Sequence, residues 1–438
     1  MKKFNVVIVG GGSTWTPGLL KSLCVKQKQF PLEELRLFDI DAERQRPIGE
    51  FAKILFSEEY PEAKVVYTTD KETAYKDVDF VFCQIRSGGY KMRHCDEKIP
   101  LSHRVVGQET CGAGGFAYGL RSIPDLIEIV NDCRKYGDPY ILNYSNPAAI
   151  VAVALDKVFP DDKKIINMCD QPINLLKSYG KILNMDYNKM KPVYFGLNHF
   201  GWFKNLFDEK GNDLVPVIRE KILSDGFLPA DAEERDASWL ETYGNVQIML
   251  KLFGGYIPNT YLQYYLLPEY KVEHLDPNYT RADEVENGRE KRVFEECAKI
   301  IRRKKVENSV IARNEAHADM IVDVAASLAF NLNKEFILIV KNHGVIDDFH
   351  ADAMVECNCC VDSTGVHPFA FGELDTFSRG LMENQYAYEK LTVEAYFEKS
   401  YTKALMALTL NRTIVDGLKA KAVLDDIMDA NKDYWTLK

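Results

Sequence analysis

Short hydrophobic runs alternate with amphipathic stretches over the first 200 residues of the chain. The runs have the length of buried strands and lie at 6–9, 35–38, 78–83, 140–142 and 165–168. The stretches between them place apolar residues at helical spacing and lie at 16–26, 41–56, 122–135 and 146–159. Regular alternation of strand and helix predicts a doubly wound, Rossmann-like α/β domain built on a parallel sheet.

The pattern changes after residue 193. Strand-like segments at 194–197 and 202–207 are followed by helical patterns at 282–305, 315–332 and from 389 to the C-terminus, with one further strand at 336–340. No internal repeat, low-complexity tract or long linker separates the two halves. We therefore predict a Rossmann-like lobe over residues 1–195 and a largely helical α+β lobe over residues 196–438 that packs directly on the sheet.

Composition narrows the kind of protein. Of the 438 residues, 46% are hydrophobic and 27% are charged, which is ordinary for a globular chain. The net charge of −10 argues against a nucleic-acid partner, which needs a basic face. No apolar stretch reaches the ~20 residues that span a bilayer, so we expect no membrane partner. The ten scattered cysteines, with no secretory signal before the first strand, favour reduced thiols in a cytoplasm.

A glycine turn follows the first predicted strand and opens the first helix, over Gly10, Gly11, Gly12, Ser13 and Thr14. Glycines let the backbone approach a pyrophosphate, whose charge meets the free N–H groups of the helix N-terminus. Asp39 closes the second strand, where its carboxylate would accept hydrogen bonds from an adenosine ribose and disfavour a 2′-phosphate. NAD is therefore the expected cofactor.

Two features depart from the usual dinucleotide fingerprint. Trp15 stands in place of the third glycine, and Asp39 lies 27 residues after Gly12, where ~20 is usual. The alternative is a glycine turn in an α/β protein that binds no nucleotide.

Cysteine, aspartate and histidine stand at the ends of two later strand-like runs, as Cys169, Asp170 and His199. A thiolate and a neutral imidazole suit Mn, Fe, Co, Ni or Zn, and two protein ligands leave positions open for substrate oxygens. A core thiol and a core histidine are the alternative. Ligands bind at the carboxyl ends of strands in α/β sheets, and this position favours a metal site.

Two asparagines after the neighbouring strand, Asn143 and Asn146, point amides at the same sheet edge. Since Asn146 precedes Pro147 at the start of a predicted helix, its alternative role is merely that of an N-cap. A cysteine-rich segment at 357–360 looks metal-like, but adjacent cysteines make a poor tetrahedral set. We interpret that segment as a buried strand.

Eight segments spread over essentially the whole chain match one family pattern, at 10–17, 106–112, 142–149, 169–172, 197–202, 259–265, 280–282 and 390–395. They resemble the NAD- and metal-dependent family 4 glycoside hydrolases, in their 6-phospho-α-glucosidase branch. In that family the residues after the metal cysteine sort the substrate classes, and Cys-Asp-Met-Pro goes with phospho-α-glucosides. This chain keeps the aspartate as Asp170 and has Gln171 in place of the methionine, which favours the α assignment and leaves the aglycone open.

The resemblance implies a redox-assisted elimination that ends in hydrolysis. NAD⁺ takes a hydride from C3 of the sugar, and the resulting ketone acidifies the C2 proton, which a base removes. A divalent metal on the C2 and C3 oxygens stabilises the enolate as a Lewis acid. The glycosidic oxygen then leaves with help from a general acid, water adds, and NADH returns the hydride. A substrate such as maltose 6′-phosphate would yield glucose 6-phosphate and its aglycone.

The same resemblance assigns roles to residues of this chain. Cys169 and His199 hold the metal, with Mn²⁺ favoured and Fe²⁺, Co²⁺ or Ni²⁺ as alternatives. Asp170 protonates the leaving group and Tyr261 is the base at C2, its phenolate favoured by a nearby metal or arginine. The remaining contacts are assigned to Arg93, Asn146 and Arg281 at the 6-phosphate, Glu109 beside the sugar hydroxyls or the metal, and Asn143 beside the cofactor.

Three other functions stay open at this point. The first is another family 4 specificity, such as 6-phospho-β-glucosidase. The second is a net NAD-dependent dehydrogenase of the lactate/malate type, which shares the strand order and an Asn-Pro turn. The third is a non-enzymatic NAD sensor. The resemblance also implies a homodimer or homotetramer that acts in the cytoplasm on a phosphorylated disaccharide.

Overall fold

A computed structural model of the chain describes residues 2–160, 162–313 and 316–438, with only the backbone described at 316 and 317. Parallel strands form its centre, in the order β6-β5-β4-β1-β2-β3. They are β1 (Phe4–Val9), β2 (Leu32–Phe38), β3 (Lys64–Thr68), β4 (Phe80–Cys83), β5 (Tyr140–Asn143) and β6 (Ile165–Asn167). The predicted parallel sheet is confirmed. The hydrophobic pattern missed β3 because its residues are at most half-buried at this edge of the sheet.

Helices connect these strands and cover the sheet. They are α1 (Thr16–Val25), α2 (Ala42–Glu59), α3 (Lys71–Tyr75), α4 (Gly89–Ser102), α5 (Gly112–Tyr136), α6 (Ala148–Val158) and α7 (Gln171–Leu183). Local caps fix where some of them begin: the Asp41 side chain accepts hydrogen bonds from the N–H groups of Glu43 and Arg44 at the start of α2. Because helices cover the strands on their faces, a central strand such as β4 is buried along its whole length.

Three strands from the second half extend the same sheet. β10 (Lys334–Lys341) pairs antiparallel with β6, and β11 (Met354–Asp362) and β12 (Gly365–Pro368) follow it at that edge. The predicted strand at 336–340 is confirmed as the centre of β10. Cys357 and Cys359 are buried in β11, which confirms that the cysteine-rich segment is a strand. The second half therefore completes the sheet as well as packing on it.

A small antiparallel sheet stands beside the large one. It consists of β7 (Lys191–Leu197), β8 (Phe200–Phe207) and β9 (Ile257–Pro258), and it confirms the strands predicted at 194–197 and 202–207. The N–H of Tyr194 donates to Oδ1 of Asn358 on β11 over 2.8 Å, which attaches this sheet to the large one. Asn198 and His199 form the tight turn between β7 and β8.

Helices make up most of the remaining chain. They are α8 (Val215–Asp225), α9 (Ala237–Phe253), α10 (Gln263–Leu266), α11 (Pro268–His274), α12 (Arg281–Val285), α13 (Lys291–Arg303), α14 (Ala316–Phe330), α15 (Thr376–Glu398), α16 (Tyr401–Leu410) and α17 (Gly417–Ala430). A π-helical turn at Glu286–Glu290 joins α12 to α13, which together form the helix predicted over 282–305. The helix predicted over 315–332 corresponds to α14, and its predicted first residue lies outside the described residues. Among the helices that the structure describes, none is long and apolar enough to cross a membrane.

One hydrophobic core joins the two halves. Phe4 and Leu20 from the first half belong to the same buried cluster as Phe203 and Val322 from the second. The Phe4 ring packs edge-on against Phe330 with ring centroids 5.5 Å apart. The two halves therefore share both a sheet and a core. The lobe boundary predicted at residue 195 stays a prediction.

Candidate active site

A cavity of about 890 Å³ opens where the central strands end. Its walls include residues from the loops that follow β1, β4, β5 and β6, namely Trp15, Arg86, Asn146 and Cys169. The structure brings together there most of the predicted site residues: Arg93, Glu109, Asn146, Cys169, Asp170, His199, Tyr261 and Arg281. The glycine turn, Asp39 and Asn143 lie next to this cavity rather than in its lining.

The glycine turn has the backbone geometry that a dinucleotide requires. Gly10 has a φ of +83°, in the left-handed region that favours glycine, and a Cβ on Gly11 would lie 2.8 Å from Cβ of Leu37. The N–H of Gly12 donates to Oδ2 of Asp39 over 2.8 Å, so the acidic residue lies against the turn despite its long spacing. Trp15 occupies the N-cap position of α1 without a side-chain capping bond. The N-terminus of a helix is a favourable binding site for a phosphate. The turn therefore fits NAD.

Asn143 is the last residue of β5 and is fully buried. Its Nδ2 donates to Oδ1 of Asn167 over 2.8 Å, and its Oδ1 accepts from the N–H of Ser145 over 3.1 Å. The side chain therefore joins two strand ends and shapes the loop between them. Its predicted contact with the cofactor stays a prediction.

Cys169 and His199 meet in the floor of the cavity. Sγ of Cys169 lies 3.4 Å from Nε2 of His199, and each residue is only 6% exposed. Cys169 follows β6 of the large sheet, and His199 lies in the β7–β8 turn with a φ of +60°. This left-handed backbone conformation is strained for a residue other than glycine, so the neighbours of His199 must hold it there.

A hydrogen-bond chain selects the tautomer of His199. Oγ1 of Thr110 donates to Oε1 of Gln108 over 2.9 Å and lies 3.3 Å from Nδ1 of His199. With its own hydrogen directed to Gln108, the Thr110 hydroxyl accepts from Nδ1–H, which leaves the Nε2 lone pair facing Cys169. A partner on the second ring nitrogen is a regular feature of histidines that bind metals. Sequence reasoning did not single out Thr110 or Gln108, although both lie in the matching segment 106–112.

The donor set fits a borderline divalent metal. Burial lowers the pKa of His199 to about 4, so its imidazole is neutral and able to coordinate. Burial raises the pKa of the Cys169 thiol well above its usual value, and a bound cation is what ionises such a thiol. Within the described ranges, no three side chains of His, Cys, Asp or Glu converge on one point. The protein would thus supply two ligands and leave the other positions open.

Glu356 on β11 is a buried carboxyl group that sequence reasoning missed. Its Oε1 accepts from Nδ2 of Asn198 over 2.9 Å and its Oε2 accepts from the Tyr194 hydroxyl over 3.0 Å. Burial raises the pKa of Glu356 to about 7. Through Asn198 it holds the turn that carries His199. The only sequence signal was a charged residue inside an apolar strand, next to Cys357.

Asp170 stands at the N-terminus of α7, one residue after the predicted metal ligand. Its Oδ2 accepts a hydrogen bond of 2.8 Å from Nδ2 of Asn174 in the next turn of the helix. The Tyr144 phenol donates to the same carboxyl group, and burial and then Asp170 raise the pKa of that phenol well above its usual value. These contacts hold Asp170 at the cavity wall.

Tyr261 packs flat on His199. The two ring centroids lie 4.0 Å apart with 12° between the ring planes. The N–H of Tyr261 donates to Oδ1 of Asn259, which caps the 3₁₀ turn Thr260–Leu262. Burial and then Tyr264 raise the pKa of Tyr261 well above its usual value. The phenol therefore needs a nearby positive charge before it can serve as a base.

The two predicted phosphate arginines are held by carboxylates and linked to each other. Nε of Arg93 donates to Oε1 of Glu97 over 2.8 Å, and Oε2 of Glu97 accepts from the N–H of Ala282 over 2.7 Å. Arg281, the first residue of α12, pairs with Glu284 over 2.8 Å. Glu97 thereby ties α4, which carries Arg93, to the start of α12. Arg93 is buried, so its ion pair with Glu97 lies inside the protein and not on its surface.

Glu109 lies between two arginines. It forms an ion pair with Arg86, and its Oε2 lies 3.2 Å from Nε of Arg93. Although burial opposes ionisation, Arg86 and Arg93 lower the pKa of Glu109 to about 2. Glu109 is therefore a carboxylate that partly neutralises this end of the cavity. Arg86 was not identified from the sequence.

Asn146 is not the cap of the following helix. Pro147 occupies the N-cap position of α6, with no side-chain capping bond. Oδ1 of Asn146 is buried and has no hydrogen-bond partner in the described part of the chain. Because Asn146 lines the cavity, this acceptor is available to a ligand.

Comparison with known proteins agrees with this geometry. The model of the family 4 glycosyl hydrolases matches residues 5–185, and the model of the family 4 glycosyl hydrolase C-terminal domain matches residues 194–414. The chain is 47% identical to the phospho-alpha-glucosidase PagL of Clostridium acetobutylicum over 441 aligned residues, which cover 99% of each protein.

Two solved structures are also similar over their whole length. One is a 6-phospho-alpha-glucosidase from gut microorganisms in complex with NAD and Mn²⁺, with a TM-score of 0.98, 54% identity and full coverage of both chains. The other is a 6-phospho-alpha-glucosidase from gut microorganisms in complex with NAD and glucose-6-phosphate, with a TM-score of 0.95, 41% identity and full coverage of both chains.

Proposed function

The chain belongs to family 4 of the glycosyl hydrolases, and we propose that it hydrolyses 6-phospho-α-glucosides such as maltose 6′-phosphate to glucose 6-phosphate and the aglycone. One observation carries the proposal. A thiol–imidazole pair, a carboxylic acid and a phenol converge in one cavity beside a dinucleotide turn. Each has its own task in a redox-assisted elimination, whereas a paired-carboxylate glycosidase needs only carboxyl groups.

The arginine end of the cavity binds the 6-phosphate. Arg93 and Arg281 present guanidinium groups, whose planar fork matches phosphate oxygens better than an ammonium does. Their carboxylate partners, Glu97 and Glu284, fix where the guanidinium groups lie. The unpartnered Oδ1 of Asn146 accepts a hydrogen bond from the bound substrate. Together these contacts orient the sugar so that its C1–C3 edge faces Cys169 and His199.

Two cofactors complete the site. NAD⁺ would lie on the Gly10–Gly12 turn with its ribose at Asp39, and Mn²⁺ would be held by Cys169 and His199. When bound, NAD⁺ would supply the acceptor and donor of the C3 hydride, and Mn²⁺ would supply positive charge that stabilises the substrate oxygens and the Tyr261 phenolate. The Thr110 hydroxyl keeps Nε2 of His199 unprotonated for this purpose.

Tyr261 and Asp170 move the protons. Tyr261 takes the proton from C2 after oxidation at C3, and its stacking on His199 keeps the phenol at the reacting edge of the sugar. Asp170 gives its proton to the glycosidic oxygen as that bond breaks. When water adds to the unsaturated sugar, Asp170 takes a proton from the water and Tyr261 returns one to C2.

The test compares 4-nitrophenyl α-glucoside 6-phosphate with its β-anomer, with and without NAD⁺ and Mn²⁺. We expect hydrolysis of the α-anomer only when both additives are present, with no accumulation of NADH. Cys169→Ser and Asp170→Asn should each abolish turnover. Stoichiometric NADH would indicate a net dehydrogenase, preference for the β-anomer would indicate another family 4 specificity, and activity that survives chelator and dialysis would refute the mechanism.

We also propose that the enzyme acts in the cytoplasm as a homodimer or homotetramer. All ten cysteines are free thiols, as in a reducing compartment. The C-terminal helices leave Val415 and Leu418 strongly exposed, and apolar side chains of this kind suit a subunit interface. Light scattering on the purified chain would give the number of subunits, and a monomer would refute the oligomer.

A further inference from the structure

The π-helical turn Glu286–Glu290 directs one more arginine, Arg289, into the active-site cavity. A π turn is less stable than a regular helical turn and occurs often at functional sites, because it moves a side chain off the regular helical spacing. Here it separates α12, which begins with the phosphate residue Arg281, from α13. The irregular turn thus lies next to the predicted phosphate site.

Arg289 is positioned by the cofactor loop. Its guanidinium carbon lies 4.1 Å from the centroid of the Trp15 ring, the residue that replaces the third glycine of the dinucleotide turn. The next residue, Glu290, is bound by both terminal nitrogens of Arg44 on α2, one of them at 3.0 Å. The Rossmann-like half therefore contacts the π turn at both Arg289 and Glu290.

Arg289 differs from Arg86, Arg93 and Arg281 in having no carboxylate partner. Arg86, Arg93 and Arg281 each form ion pairs with Glu or Asp. Within residues 2–160, 162–313 and 316–438, no such pair includes Arg289. Its guanidinium group hydrogen-bonds to the side chain of Tyr90, which is not a carboxylate, and its Nε is buried without a hydrogen-bond partner. Burial, and then Arg93 and Arg281, lower the pKa of Arg289. Three guanidinium groups thus repel each other at one end of the cavity.

A cluster of this kind is costly without an anion. An unpaired charge removed from water destabilises a protein, and a doubly charged phosphoryl group would compensate the Arg289 guanidinium group while it also contacts Arg93 and Arg281. Because a bound phosphoryl group removes this cost, the unpaired arginine favours binding of a phosphorylated sugar over a neutral one.

We propose that Arg289 is a third phosphate ligand of the active site, held by Trp15 and directed at the 6-phosphate of the substrate. The inference rests on the proposed function and adds a residue to it. The phosphoryl groups of the substrate and of NAD⁺ share the same chemistry, and the nearness of Arg289 to Arg93 and Arg281 favours the substrate.

The experiment measures the Kd of glucose 6-phosphate in the presence of NAD⁺ and Mn²⁺, and separately the Kd of NAD⁺, by calorimetry. Arg289→Gln should raise the Kd of glucose 6-phosphate by about 10-fold or more, as expected for the loss of a charge-assisted hydrogen bond. It should leave the Kd of NAD⁺ within about twofold. Arg289→Lys should have a Kd of glucose 6-phosphate between those of the wild type and Arg289→Gln, because lysine keeps the charge and loses the planar fork of the guanidinium group. Arg302→Gln, an exposed arginine of α13, is the matched control and should change neither value.

Protein stability separates a binding role from a structural one. Because Arg289 is uncompensated in the free protein, Arg289→Gln should keep or raise the melting temperature without ligand. A lower melting temperature, an unchanged Kd of glucose 6-phosphate, or a loss confined to NAD⁺ would each overturn the inference. A wild-type protein that binds glucose 6-phosphate but hydrolyses nothing would refute the proposed function and leave this inference standing.

Discussion

Gln171 donates a hydrogen bond of 2.6 Å from its Nε2 to Oγ1 of Thr260, and both residues are buried. Gln171 follows the acid Asp170, and Thr260 precedes the base Tyr261. The bond therefore joins the two segments that carry the acid and the base. In the family pattern the position of Gln171 is a methionine, which cannot donate to Thr260. Glutamine at this position holds the two catalytic segments together. We therefore expect it to have little effect on whether the enzyme cleaves the α- or the β-anomer.

Gln171→Met should lower stability and turnover without changing the anomer that is cleaved. The Thr260 hydroxyl would be left buried without its donor, at a cost of about 1–3 kcal/mol. The double variant Gln171→Met with Thr260→Val removes both partners and should regain most of the loss. Melting temperatures and the ratio of α- to β-anomer hydrolysis would measure both effects. A reversed ratio in the single variant would mean that Gln171 selects the substrate directly.

Thr110→Val should weaken metal binding. The variant removes the acceptor for Nδ1–H of His199, so the imidazole loses the contact that fixes its tautomer. Loss of such a partner typically costs 10- to 100-fold in metal affinity. Titration with Mn²⁺, followed by the electron paramagnetic resonance signal of the free ion, would give the Kd of Mn²⁺. Thr409→Val removes an exposed hydroxyl on α16 and should leave the Kd unchanged; equal Kd values in all three proteins would contradict the role of Thr110.

Tyr261→Phe should abolish most of the catalysis and preserve the site. The phenyl ring keeps the stacking on His199 at 4.0 Å but has no oxygen to accept the C2 proton. Removal of a general base typically costs about 10²- to 10⁴-fold in rate. Single-turnover kinetics would measure the loss, with NAD⁺ and Mn²⁺ affinities as the check on structure. Tyr264→Phe, whose ring lies 5.8 Å from Tyr261, is the matched control. A comparable loss in both variants would point to packing.

Glu389 on α15 makes stability depend on pH. It is buried, with Gln385 as its hydrogen-bond donor at 2.8 Å, and burial raises its pKa from the usual 4.5 to about 8. A carboxyl group with a raised pKa stabilises the folded state below the unfolded value, and this stabilisation is lost as the pH rises through the folded value. The window for the loss is therefore between pH 4.5 and about 8.

Glu389→Gln should remove this dependence. Its melting temperature relative to the wild type should rise from pH 5 to pH 8 and level off above that, because the amide never ionises. Melting curves at several pH values would show the trend. A difference that stays constant across the range would mean that Glu389 has an ordinary pKa in the folded protein.

The sequence predicted the parallel sheet because its central strands are apolar along their whole length. It predicted the cysteine-rich strand because adjacent cysteines make a poor tetrahedral metal site. The edge strand β3 was missed, since half-buried residues leave a weak signal. That β10 to β12 complete the large sheet was also beyond the pattern, because strand pairing between residues 167 and 339 depends on contacts distant in the sequence.

The residues of the candidate site were likewise predicted only in part. Cys169, His199, Asp170 and Tyr261 were identified by residue type and family motif, and the structure brings them to one cavity. Supporting residues such as Glu356 and Arg289 carry no motif, because their roles arise only when β11 and the π turn pack against the site. At Asn146 the structure excludes the alternative role of a helix cap, because Pro147 occupies the N-cap position of α6.

The elimination at the centre of this account predicts that the C2 hydrogen of the sugar exchanges with solvent. When 4-nitrophenyl α-glucoside 6-phosphate is cleaved in D₂O with NAD⁺ and Mn²⁺, the glucose 6-phosphate formed should carry deuterium at C2 by NMR. Glucose 6-phosphate kept in the same buffer without enzyme is the control. A product that retains its original hydrogen at C2 would contradict the mechanism.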